Sequence, residues 1–88
     1  MTNIQQIMKM GQELQAKVKE LQEGLEAEEL EASSGGGMVT ATVNGKGDLK
    51  GLKIDASVVD SSDVEMLEDL VVAAIAEAQN KARSFSEE

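Results

Sequence analysis

Ile4, Ile7, Gly11, Leu14, Val18, Leu21 and Leu25 recur at alternating steps of three and four, with Gln, Lys and Glu between them. That spacing predicts one helix over residues 3–26 with a heptad-like seam along one side. At 1.5 Å per residue it would run about 36 Å, longer than so small a domain can cover. Part of it is therefore expected to project, or to pack on a partner. Gly11 sits in the seam and marks a bend or a close approach. From residue 29 the period changes to two. Leu30 and Ala32 alternate with Glu29, Glu31 and Ser33, and Val39, Ala41 and Val43 alternate with Met38, Thr40 and Thr42. Each run reads as a short half-buried strand. Ser33–Gly37 reads as a flexible connector. Asn44-Gly45 is a strong hairpin signal, which Lys46-Gly47-Asp48 extends. Leu52 and Ile54 belong to a third strand, with Lys50 on their parity and Lys53 opposite. A meander of three antiparallel strands within 29–54 is the simplest arrangement.

A second helix is expected over 63–86. Ser62-Asp63-Val64-Glu65 matches a capping box, with Ser62 as N-cap and Glu65 three residues on. Asp63, Glu65, Glu68 and Asp69 suit the positive end of the helix dipole, and Lys81 and Arg83 suit its other end. Leu67, Leu70, Val71, Ala74, Ala78 and Ala82 mark one face, while Val64, Val72, Ile75 and Phe85 lie elsewhere. Leu70–Ala76 is an unbroken run of seven apolar residues. A helix apolar all round needs cover on more than one side. With 88 residues in the chain, a second copy is the natural cover, and oligomerisation is a common remedy for a small core. The candidate dimer contacts are Leu70, Val71, Val72, Ala74 and Ile75. The fold class is thus α+β in one domain, 1–88, ordered helix, three strands, helix.

Composition narrows the chemistry. Cys, His, Trp, Tyr and Pro are absent, and Phe85 is the sole aromatic residue. The usual zinc ligands are missing, as are the usual nucleophile and general base. No apolar run approaches the roughly 18 residues of a membrane span, and the start carries no charged leader before an apolar stretch. A cytoplasmic protein without a membrane partner is expected. Paired carboxylates (Glu28/Glu29, Asp60/Asp63, Glu68/Asp69) fall at strand edges and a helix start, where solvated surface explains them. Ser33–Gly37 lacks the Gly-Lys-Ser/Thr that opens a helix in a phosphate loop, and residues 55–65 lack the ligand spacing of a calcium loop. No catalytic residue, metal site, cofactor or small-molecule substrate is indicated, so an enzyme is not expected. Met8, Met10 and Met66 fit core or dimer contacts better than an adaptable binding surface.

The formal charge is −9, from 17 acids and 8 bases, and it is uneven. Residues 1–25 are neutral and 49–56 are slightly positive. The acidic excess lies in 26–48 and 57–88. The total disfavours nucleic acid and anionic membranes at long range. Screening beyond about 8–10 Å leaves room for local basic contacts. An antiparallel pairing of the two helices would bring Lys9 near Lys81 and Arg83, gathering positive charge away from the acidic strands.

The layout resembles the YbaB/EbfC family of bacterial nucleoid-associated proteins. The residues that carry the resemblance are Ile4–Met10, Gln12–Gln15, Gly37–Gly45, Leu52–Asp55, Glu65–Val71, Ala73-Ala74 and Ala78, nearly the full chain in order. The resemblance implies a homodimer with a shared central sheet and long helices projecting as paired arms. It also implies double-stranded DNA as a partner, contacted mostly through backbone and shape in the nucleoid. On this reading Lys9 matches the base typical of the first arm. Lys81 and Arg83 stand where the second arm is often basic, and Lys17 and Lys19 extend the first set. The alternative is an acidic dimeric interaction or scaffold module with negligible DNA affinity, whose partners are other proteins. The −9 charge and the apolar seam speak for that alternative.

Overall fold

The computed structural model describes residues 3–87. The chain runs α1 (Ile4–Ala27), β1 (Leu30–Ser34), β2 (Val39–Val43), β3 (Leu49–Ile54), a short 3-10 turn (Ala56–Val58) and α2 (Val64–Glu87). The three strands form one antiparallel sheet in the order β1-β2-β3, as the alternation predicts. Helix α2 packs across β1 and β2.

The core is made of small residues. Val39, Ala41 and Val43 from β2 and Ala32 from β1 meet Ala74, Ala78 and Ala82 of α2. The three alanines recur every four residues and so lie in line on one helix face. Leu30, Leu67, Leu70, Val71 and Ile75 pack around them. Ile75, expected away from the core face, is therefore at its flank. Ala74 is fully buried against its own sheet and has no surface left for a second copy.

Two turns join the strands. Gly35, Gly36 and Gly37 all have positive φ, so the first turn needs residues without a Cβ. Ser33 and Ser34, expected in the connector, instead finish β1, and the Ser34 hydroxyl donates to the Leu70 carbonyl at 2.6 Å. The second turn is built on Asn44, which is fully buried. Its Oδ1 accepts the amides of Lys46 and Asp48, each at 3.0 Å, and its Nδ2 donates to Asp48 Oδ2 at 3.3 Å. After this turn the register shifts. Thr42 pairs with Gly51 but Val43 pairs with Leu49, so Lys50 is the extra residue of a bulge. Leu49, not Lys50, thereby joins Leu52 and Ile54 on the core side of the sheet.

The start of α2 also departs from expectation. Asp63, not Ser62, caps it: Asp63 Oδ1 accepts the Met66 amide at 3.2 Å. The Ser62 amide and hydroxyl are both engaged by Asp60 Oδ1, at 2.9 and 2.7 Å. The capping box is therefore displaced by one residue. Helix α1 begins at an Asn3 cap whose side chain accepts the Gln5 amide at 3.0 Å. It buries none of its residues. The molecule is consequently a rod of 73 × 18 × 16 Å, with α1 as an arm on a small α/β body.

Candidate nucleic-acid interface

The arm exposes its whole seam. Ile4, Ile7, Leu14, Val18 and Leu21 are all solvent-exposed, and only Leu25 at the foot is half-buried. Gly11 has no neighbour within 4 Å of where a Cβ would stand, so no close approach occurs there within one chain. Lys9, Lys17 and Lys19 project from this arm, all exposed.

At the foot, the β2–β3 turn meets α1 and the end of α2. The Gly45 amide donates to the Leu25 carbonyl at 2.7 Å. Lys46 Nζ reaches Glu26 Oε1 at 2.7 Å. Gln79 Nε2 donates to the Gly47 carbonyl at 3.2 Å. Leu25, Gly45, Lys46, Gly47, Gln79, Ala82, Arg83 and Ser86 surround a cavity of about 440 Å³. Next to it, Leu21, Leu25, Phe85, Lys17 and Ser86 help to line a groove of about 840 Å³ between α1 and the tail of α2.

This geometry corrects the expected clustering of bases. Arg83 shares a cavity with Leu25, and Lys9 lies 16 residues before Leu25, about 24 Å along the helix. Lys9 and Arg83 therefore do not meet. Arg83 stands instead with Lys46, and Lys17 stands near Ser86 in the adjoining groove. Lys81 points the other way, its Nζ donating to the Glu31 carbonyl of β1 at 2.8 Å. Neither Lys81 nor Arg83 lies in the last turn of α2, which holds no base. Lys46 escaped the sequence reading because the Asn44-Gly45 turn signal accounted for it fully. Its place beside Arg83 depends on where α1 ends, which no local pattern specifies.

Among the described residues the ion pair is Lys46–Glu26, so Lys9, Lys17, Lys19 and Arg83 carry charge that no carboxylate neutralises at contact distance. The strongest acidic grouping lies at the other end of the body. Asp60, Asp63, Glu65, Glu68 and Asp69 gather around the start of α2. Val64 and Arg83 are 19 residues apart, about 28 Å along the helix, or nearly three Debye lengths at 0.1 M salt. The amide and hydroxyl of neighbouring serines hold two carboxyls in this region below their ordinary value of 3.8. For Asp55 the Ser57 amide is the larger cause, and for Asp60 it is the Ser62 hydroxyl. Among the described residues no His, Cys, Asp and Glu converge as metal ligands, and no helix is long and apolar enough to cross a membrane.

The protein is thus of a class with a long helical arm on a three-stranded α+β body, with bases on the arm and at its foot. The family model described as the YbaB/EbfC DNA-binding family matches residues 1–88. A nucleoid-associated protein of Granulibacter bethesdensis is 48% identical over 88 residues, covering 100% of this chain and 82% of that one. A nucleoid-associated protein of Gluconacetobacter diazotrophicus is 47% identical over 79 residues, covering 90% and 74%. The crystal structure of an uncharacterized protein from Helicobacter pylori matches with a TM-score of 0.81 at 23% identity, covering 99% of this chain and 91% of that chain. That last likeness bears on the fold alone. The chain belongs to the YbaB/EbfC DNA-binding family.

Proposed function

We propose that this protein binds duplex DNA as a homodimer, with little sequence preference, and acts in nucleoid organisation or gene expression. The observation that carries this reading is full-length membership of a DNA-binding family whose curated relatives are named nucleoid-associated. Bases on the arm supply backbone contacts, which position a protein on DNA without reading sequence. The contact set is Lys9, Lys17 and Lys19 on α1, with Arg83 at the foot; Lys46 beside it is a lesser member, since its ammonium is already paired with Glu26. Lys81 is a lesser member, since its ammonium is already engaged by β1.

The dimer reading draws on an uncovered apolar surface. Leu49, Leu52 and Ile54 share the core side of the sheet with β2, yet α2 packs on β1 and β2 and leaves them 46%, 41% and 38% exposed. Residues 72, 75 and 79 share one side of α2. Gln79 bonds the β2–β3 turn, whereas Leu70 and Lys81 bond β1. Val72, 66% exposed, therefore borders the β3 row. This surface is the interface we assign to a second copy, with Val72 and Ile75 kept from the expected set and Ala74 removed.

Fluorescence anisotropy with a random duplex at about 50 mM salt tests the function. Binding is expected, and a triple Lys9→Glu, Lys81→Glu, Arg83→Glu variant should lose it. No change on adding micromolar wild-type protein would overturn the reading. A flat titration from an intact dimer would favour a scaffold role, to which the exposed apolar seam of the arm is otherwise suited.

A further inference from the structure

The arm has almost nothing to hold it. Helix α1 buries no residue, and a free helix of this length would sample many directions about its last turn. One contact is different. Gly45 is buried, and a Cβ placed on it would lie 2.9 Å from Leu25 Cδ2, 2.9 Å from the Leu25 carbonyl oxygen and 3.1 Å from Leu25 Cα. Two of those atoms are backbone, so they move only if the helix end moves. The φ of Gly45 is not positive, unlike that of Gly47, so its local conformation does not require glycine. What requires glycine there is the approach of α1. The same residue donates the 2.7 Å hydrogen bond to Leu25, and its neighbour Lys46 pairs with Glu26. Buried Asn44 fixes the turn itself through its bonds to Lys46 and Asp48.

We propose that the Asn44–Lys46 turn is a clasp that sets the direction of arm α1, with Gly45 and Leu25 as its positioning residues. The arm is one unbroken helix from Ile4 to Ala27, so its direction at the foot decides where Lys9 stands. Relieving a 2.9 Å contact to an ordinary 3.4 Å takes about 0.5 Å at the foot. Pivoted over one helical turn, that becomes about 3 Å near residue 6, 19 residues out. A one-ångström misplacement matters to groups that must meet phosphates at fixed spacing. The consequence for DNA rests on the function proposed above; the clasp itself does not.

The arm and α2 lie nearly end to end along the 73 Å axis, so the direct readout is the angle between them. Residual dipolar couplings of the backbone amides of α1 and α2 read that angle without DNA. A 0.5 Å shift over one 5.4 Å turn is about 5°, which Gly45→Ala should show, and Leu25→Ala should shrink the α1 couplings relative to those of α2 by loosening the arm. Gly47→Ala strains the same turn at positive φ but meets nothing within 4 Å, so it should lower the melting temperature and leave the angle alone. An unmoved angle in Gly45→Ala and undiminished α1 couplings in Leu25→Ala would overturn the clasp. So would a Gly47→Ala rotation as large as that of Gly45→Ala. With DNA, Gly45→Ala should bind several-fold more weakly although every base is retained. Unchanged affinity with a displaced arm would refute the positioning role. A wild-type protein that ignores DNA would remove the function, while the couplings would still decide the clasp.

Discussion

Asn44 concentrates more structural consequence than any other polar side chain in the molecule. It is fully buried and makes three hydrogen bonds that close the β2–β3 turn. Asn44→Ala leaves the Lys46 and Asp48 amides without their acceptor and should cost about 1–3 kcal/mol, measured by urea unfolding. Asp63→Ala should cost about 1 kcal/mol by removing the α2 cap, whereas Ser62→Ala should cost much less. That contrast separates the observed cap from the one the sequence suggested. The Ser-x-x-Glu pattern was legible, but the competition that decided it was not: Asp60 takes both donors of Ser62, leaving Asp63 to cap. Asp55 and Asp60 give the pH response. Their folded values are depressed, so the stability they contribute is present above the ordinary 3.8 and is lost as pH falls through the folded values. Their carboxyl resonances in an NMR titration should show midpoints below 3.8, and the melting temperature should start to fall as pH drops toward that range.

Element boundaries followed the hydrophobic periods closely, because α1 and α2 are long and strongly patterned and the strands alternate cleanly. What each element faces was less legible. The apolar run Leu70–Ala76 suggested cover on all sides, yet Ala74 alone of the seven is fully buried, while Val72, Ala73 and Ala76 remain exposed. Alanine is short enough to serve either environment, so its presence does not fix a face. The β-bulge at Lys50 is another limit. Period-two reading put Lys50 with Leu52 and Ile54, but the register shift substitutes Leu49. The packing of α2 on the sheet depends on small size: Ala78 is fully buried between helix and sheet. Ala78→Leu should overpack that layer and destabilise by about 1–3 kcal/mol, with unfolding monitored by circular dichroism.

The whole molecule is a charged rod whose arm carries at least as many acids as bases, with a large acidic group at the far end of the body around the start of α2. The −9 total is a poor guide to what the arm meets, because the acidic start of α2 is nearly three Debye lengths from Arg83. The sequence showed that bases lay on both helices. It did not show that Lys46 joins Arg83 while Lys9 stands alone toward the tip, since that placement comes from the foot of the arm. Association should follow the uncovered β3 surface. Light scattering should give twice 9.3 kDa for the wild type, and Val72→Asp or Leu52→Asp should return it to the single-chain mass without unfolding it. Contact between the arm's bases and DNA phosphates should show directly in the salt dependence of binding. Affinity for two unrelated duplexes of equal length, followed from about 50 to 200 mM salt, is the direct measurement. The prediction is similar affinity for both and a log–log slope near −0.9 for each phosphate contacted, becoming shallower when Lys9 or Arg83 is changed to Gln. No binding at low salt, or a slope that ignores those bases, would contradict it.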